Sequence, residues 1–293
     1  MNLATLSSAA TFALATTVAF LLIARSWSAI SRGIGSRSYF ADSIFREPAQ
    51  RYRDNLERLS ASQSIYLGGT LVFGMLFIAA YLLRAQPLFA GYPDWQIYLQ
   101  LCFLGCTALF AVYKLINTVI AKRQVKFLHD ANIAIGHQLS QMSSGVTHVY
   151  HDIETTAGVI DHVVVCQLGV YAVNVVAKRC DRRAAARCTD NRLQFSSEEG
   201  SISVTSLLAR NNRLGKRLRQ VSGRPVSVRS VIALPGWEIA EQPGDGHLLV
   251  NERNASMLLG WKDTTSFLLD DDVTAIREAL AQSCLKSARR KAF

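Results

Sequence analysis

The stretch Ile160-Asp161-His162-Val163-Val164-Val165-Cys166-Gln167-Leu168-Gly169-Val170-Tyr171-Ala172-Val173-Asn174-Val175-Val176 decides the fold. Two β-rich runs, Val159 to Cys166 and Val170 to Ala177, flank a short turn at Gln167-Leu168-Gly169, which is the pattern of a hairpin. A further strand is expected at His148 to Ile153. A helix is expected before it, from Phe127 to about Met142, with Phe127, Ala131, Ala134, Ile135 and Leu139 near one face. After the hairpin, a weaker polar region from Asp181 to Ser203 leads into a helix of about Thr205 to Val221. A β-rich run, Val226 to Leu234, then ends at Pro235-Gly236, and a last helix starts at the Asp270-Asp271-Asp272 cap. Helix, three strands, helix, strand is an α/β order.

The N-terminal part of the chain has a different character. At 293 residues the chain has room for about two domains of roughly 150 residues. Its 49% hydrophobic content and mean hydropathy of +0.15 are high for a soluble protein. Spanning helices need about 20 mostly apolar residues, and the sequence predicts them at 3–24, 65–83 and 97–121. The third contains Lys114, which can snorkel if its turn lies near the interface. The first lacks the basic start of a secretory signal and is expected to be a retained anchor. Residues 1–121 thus read as a membrane region of three transmembrane helices with a loop at 25–64, and 122–293 as a second domain.

Arginine placement predicts the orientation. Arg25, Arg32, Arg37, Arg46, Arg51, Arg53 and Arg58 fall between the first two spans, whereas the second connection has Arg84. That bias places the N-terminus outside the cell membrane and the C-terminal domain in the cytosol. Lys122, Arg123 and Lys126 after the third span agree, and Tyr92, Trp95 and Tyr98 suit an outer aromatic belt. Arg46 to Arg58, mixed with Glu47, Asp54 and Glu57, read as a polar helix that serves topology. The cysteines include no Cys-x-x-Cys pair, and reduced thiols are expected.

The hairpin and its neighbours resemble the nuclease-related domain (NERD) family of the restriction-endonuclease-like superfamily. The resemblance runs through Gly136-His137, His151-Asp152, Ile160 to Val165, Gly169-Val170-Tyr171, Asn211-Asn212 and Ala233-Leu234-Pro235, across about residues 127–236. It implies an α/β restriction-endonuclease-like cytosolic domain that handles DNA or RNA. It also implies a metal site made from a helix Glu, a strand Asp and an acid-x-Lys pair. Phosphodiester hydrolysis needs a hard cation such as Mg²⁺ or Mn²⁺ held by carboxylates. At those places this chain carries His137, Asp161, Asn174 and Val176, so Asp161 alone keeps its group. A partial rescue would use Lys178, on the same strand face as Asn174 and Val176 if the strand continues regularly, or imidazole from His137 and His162. Asp161, Asn174 and Lys178 are therefore the candidate catalytic residues, with Asp161 the candidate metal ligand.

A net charge of +10 adds a second clue. On the helix from Thr205, Leu207, Leu214 and Leu218 share one stripe and Arg210, Arg213 and Arg217 another. The arginines are candidate nucleic-acid contacts, aided by Lys286, Arg289, Arg290 and Lys291, and the same cations suit anionic lipid. Three readings follow. The domain binds nucleic acid at the membrane with cleavage weak or lost, or it is an inactive module that holds a protein partner there. In the third, it is a metal-dependent nuclease with displaced ligands around Asp161.

Overall fold

The computed structural model describes residues 45–83, 93–179, 184–196, 201–244, 246–261 and 267–291. The expected span 3–24, the residues Arg25, Arg32, Arg37, Arg84, Tyr92 and Cys180, and the side chains of Lys286, Arg289, Arg290 and Lys291 lie outside the described residues. The chain forms two compact units, one containing Asp54–Val125 and the other Arg37–Arg53 together with Lys126–Phe293.

Helices α1 (Gln50–Leu83) and α2 (Asp94–Gln141) are each long and apolar enough to cross a bilayer. Within the first unit their large apolar side chains face outward, with Met75 71% and Leu109 70% exposed, a surface suited to lipid and costly in water. Lys122 Nζ donates to Gln63 Oε1 (3.0 Å) and Ser60 Oγ (3.2 Å). Both helices exceed the expected spans. The sequence places a new helix at Phe127, but α2 continues unbroken, because no glycine or proline stands between Cys106 and Ile135 to stop it.

The second unit is built on a five-stranded sheet. Strands β1 (His148–Thr155), β2 (Gly158–Cys166) and β3 (Gly169–Val175) form an antiparallel meander. Helix α3 (Thr205–Ser222) then carries the chain to β7 (Val228–Ala233), parallel to β3, and β9 (His247–Val250) pairs parallel to β7. Both faces of the sheet are covered, which is why the central strands are apolar nearly throughout. One face packs Val163, Val165, Val170 and Ala172 against Leu214 and Leu218 of α3 and Ile276 and Leu280 of α5 (Asp270–Lys291). The other packs Val164, Tyr171, Val173 and Val231 against Ile135 and Leu139 of α2 and Leu258 of the short α4 (Met257–Gly260).

The polar region from Asp181 to Ser203, which the sequence leaves without strands, contains β4 (Ala185–Thr189), β5 (Arg192–Phe195) and β6 (Ser201–Ser203). With β8 (Glu238–Ile239) they make a second sheet of order β6-β5-β4-β8. Ala186, Cys188, Leu193 and Phe195 alternate inward and meet Trp237 and Leu249. The β4–β5 turn, Asp190-Asn191, has φ of 51° and 57° at its two residues, as a two-residue hairpin of the I′ type requires. Its tip is held from two sides: Val204 N–H donates to Asn191 O (3.0 Å), and His247 Nε2 lies 2.9 Å from Asn191 Oδ1.

Leu218→Ala, which empties a fully buried position between α3 and α5, should cost about 2–5 kcal/mol. Arg219→Ala on the exposed side of the same helix should change thermal unfolding little. Thermal melts of the two variants compare these directly.

Candidate functional site

The register of β1 and β2 pairs His151 with His162 and Ile153 with Ile160, which sets Asp152 opposite Asp161. Both are buried, 2% and 5% exposed. Two carboxylates at facing strand positions repel, and burial removes the water that would screen them. Asp152 also sits at φ 51°, outside the extended backbone of its neighbours.

Among the described residues, a cation that compensates them comes from far away in sequence. Arg51, in the first turn of α1, donates Nη2 to Asp161 Oδ1 (2.8 Å), and its Nε lies 3.9 Å from Asp152 Oδ1. Its backbone N–H donates to Asp152 Oδ2 (3.0 Å). Asp152 therefore caps α1 from a distant strand, where a helix start presents unpaired amides and favours negative charge. The Arg51 guanidinium stacks 4.5 Å above the Tyr52 ring and donates to Tyr52 Oη (2.7 Å). Arg46 completes the strap, donating Nη1 to Asp152 O (2.6 Å) and pairing Nη2 with Glu154 Oε1 (3.2 Å). Between the two arginines, Pro48 lies so close to α2 that a Cβ on Gly136 would be 2.6 Å from Pro48 Cβ and 3.2 Å from His162 Cε1. All of these residues belong to the second unit.

Burial pushes the Asp161 carboxyl up to about 6, against the opposing pull of Arg51 and of the Val175 N–H, which donates to Oδ2 at 2.8 Å. Asp161 remains ionised at neutral pH. The Arg51 guanidinium is itself desolvated, but Asp161, Tyr52 and Asp152 outweigh that and raise its pKa. Beside them, His151 Nδ1 and His162 Nδ1 are 2.8 Å apart with rings edge to face. Burial lowers His151 to about 4 and His162 well below the ordinary imidazole value, so both are neutral and one donates to the other. Among the described residues His162 Nε2 has no hydrogen-bond partner of good geometry, although the Asn132 backbone carbonyl favours its protonated form.

The other expected site residues go elsewhere. Asn174 is fully buried, and its Nδ2 donates to Asn211 Oδ1 (3.1 Å), whose own Nδ2 donates to Ser230 Oγ (2.9 Å). This amide chain ties β3 to α3 and β7. Strand β3 ends at Val175, before Lys178, so the regular continuation that a phosphate-reaching Lys178 requires is not present. Lys178 Nζ instead lies over the Phe195 ring at 4.5 Å, and its carbonyl accepts from Trp237 Nε1 (3.1 Å). Val176 packs with the second sheet. His137 is exposed beside Gln141; the side of α2 that faces the strap and His162 is Gly136. Among the described residues no three His, Cys, Asp or Glu side chains converge as a metal-binding group. Both Asp161 oxygens already accept hydrogen bonds, so the donors present do not fit Mg²⁺ or Mn²⁺, which demand several oxygens in fixed geometry.

The arginine stripe on α3 divides. Arg210 donates Nη1 to Val159 O (3.1 Å) and packs on Gly158, whose φ of 132° suits glycine. Arg217 donates Nη2 to Ser283 Oγ. Arg213 is exposed, as are Lys216 and Arg219 nearby. Separately, a cleft of about 590 Å³ opens on the second sheet, lined by Arg187, Gln194, Phe195, Ser196 and Ser201 among others.

Sequence reasoning missed Arg46, Arg51 and Asp152 as site residues. Arg46 and Arg51 look like topology signals between two spans, and a pairing more than a hundred residues apart leaves no local trace. The one local sign is the start of a helix just after Pro48. Comparison of the chain with models of protein families, with curated proteins and with solved structures finds no match.

Gly136→Ala should destabilise the second unit by about 1–3 kcal/mol, because the methyl group would come within 2.6 Å of the Pro48 ring and 3.2 Å of His162, so something must shift; a thermal melt reads it. The titrating groups give a second expectation. Asp161, with its pKa raised, contributes stability that is present below about pH 4 and lost as pH rises through about 6. His151, lowered to about 4, contributes stability present above about 6.5 and lost as pH falls toward 4, and His162, lowered well below the ordinary value by burial, adds a loss in the same direction as pH falls. Two imidazoles outweigh one carboxyl, so stability should rise from pH 4 to 7. In Asp161→Asn the opposing slope disappears and the rise should become steeper, as melts at several pH values will record.

Proposed function

We propose that this chain is a membrane-anchored, nuclease-related domain protein that binds nucleic acid at the cytosolic face of the inner membrane, with cleavage lost. The observation that carries the reading is Asp161: the remaining carboxylate of the expected metal site is engaged by Arg51 and the Val175 amide instead of by further acids. The order of α2, β1, β2, β3, α3 and β7 supports the restriction-endonuclease-like scaffold. The two apolar helices support anchoring, and the arginine bias between the expected spans supports an outside N-terminus and a multi-pass arrangement. Binding is assigned to the exposed flank of α3 at Arg213, Lys216 and Arg219, where cations displace the counterions of phosphates.

A second reading, an inactive module that holds a protein partner, draws on the cleft of the second sheet, which lies outside the αβββαβ order. One stoichiometric protein captured by the chain and retained after nuclease treatment, then lost in Arg187→Glu, would favour it.

The purified full chain should bind DNA or RNA at low salt, and affinity should fall steeply and linearly on logarithmic axes as salt is raised. Arg213→Glu with Lys216→Glu should weaken binding at least about tenfold, and no cleavage should accompany it in Mg²⁺ or Mn²⁺. Metal-dependent cleavage that Asp161→Ala abolishes would overturn the loss of catalysis. An absence of binding at low salt would remove the nucleic-acid role.

A further inference from the structure

Two buried carboxylates face one another across β1 and β2, and the fold has to supply positive charge between them or leave both destabilised. A divalent ion would bring that charge with a shell of oxygen ligands. Here the charge arrives covalently attached to the chain. The Arg51 guanidinium bonds Asp161 at 2.8 Å and approaches Asp152 to 3.9 Å. Four features fix the segment that carries it: the amide of Arg51 on Asp152, the ring and hydroxyl of Tyr52, Arg46 across Asp152 and Glu154, and Pro48 against Gly136. Asp161 Oδ2, the oxygen turned away from Arg51, accepts the Val175 N–H. Asn174, which stands where a second acid is expected, turns its amide toward Asn211.

We propose that Arg51 is a built-in counter-cation: it takes the place a divalent ion would hold beside Asp161 and Asp152, and it closes that carboxylate pair to metal. The inference deepens the reading given under Proposed function, since it takes Asp161 as what remains of a metal-binding set. It assigns the segment from Arg46 to Arg51 a role in the second unit that is separate from orienting the membrane helices. The arginine that neutralises the pair is also part of the first turn of α1, so helix start and acid pair are formed together.

The test uses the full chain in detergent micelles or nanodiscs, with Mn²⁺ alone as the probe. Mn²⁺ uptake followed by electron paramagnetic resonance should be the same for the wild type and Asp161→Asn. Thermal unfolding of Arg51→Ala, Asp161→Asn and the double variant forms a cycle. Each single change strands a buried charge or donor and should lower Tm by several degrees, and the double should recover much of the loss, because coupled residues are not additive. If Arg51→Ala does not fold, recovery of a cooperative melt on adding Asp161→Asn reads the same coupling. Mn²⁺ uptake that depends on Asp161 in the wild type would overturn the proposal, as would additive losses or a double variant that stays unfolded. Failure of nucleic-acid binding would leave this coupling intact, so the two readings fail separately.

Discussion

A buried carboxylate pair needs a positive partner, and the contact between Arg51 and Asp161 is the constraint around which the second unit is arranged. Asp161 and Asp152 are both almost wholly shielded from water, where an unpaired charge is strongly destabilising. A single guanidinium, planar and always charged, reaches both acids and still stacks on an aromatic ring. The positive φ of Asp152, the tight approach of Pro48 to Gly136 and the start of α1 at Gln50 all belong to the same arrangement. Each would be unfavourable or unexplained alone.

The same arrangement separates charge from neutral polarity within a few strand positions. Arg46, Arg51, Asp152 and Asp161, all charged, are joined in one group. Toward α3 lie Asn174, Asn211 and Ser230, joined by amide and hydroxyl hydrogen bonds with no net charge. A carboxylate at Asn174 would need its own cation in that region. Arg210, an arginine of α3 whose charge acts on Asp161, already donates to the Val159 carbonyl. The amide is therefore consistent with its surroundings as they stand.

Much of the sheet was legible from sequence because its signals are local. Apolar runs bounded by Gly158 and Gly169 mark β2 and β3, and the leucine stripe marks α3. The weaker strands were not read, because β4 and β5 are short and carry Arg187, Arg192 and Gln194 on their outer faces; the Asp190-Asn191 turn between them was the available clue. The unbroken α2 was missed for a different reason, since a change from apolar to charged residues at Lys122 resembles a boundary although no glycine or proline there breaks the helix. Of the site, Asp161 was legible and its partner was not. An arginine near a membrane segment has an ordinary explanation in topology, and only the folded chain shows that Arg51 and Arg46 meet acids on β1 and β2. The cationic stripe of α3 was legible as a stripe, but helical spacing, which places Arg210, Arg213 and Arg217 on one side, does not say which of them bond elsewhere in the chain.

The β4–β5 hairpin carries one more consequence. Tips of two-residue hairpins are usually where a folded chain accepts nicks and inserted segments, because little depends on them. In this hairpin the carbonyl of Asn191 receives the amide at the entry to α3, and its side chain meets His247 on the last strand of the main sheet. The turn works as a clasp between two sheets and a helix. An insertion there would loosen three elements at once, and the site for a tag or a protease cut in this unit should be sought elsewhere.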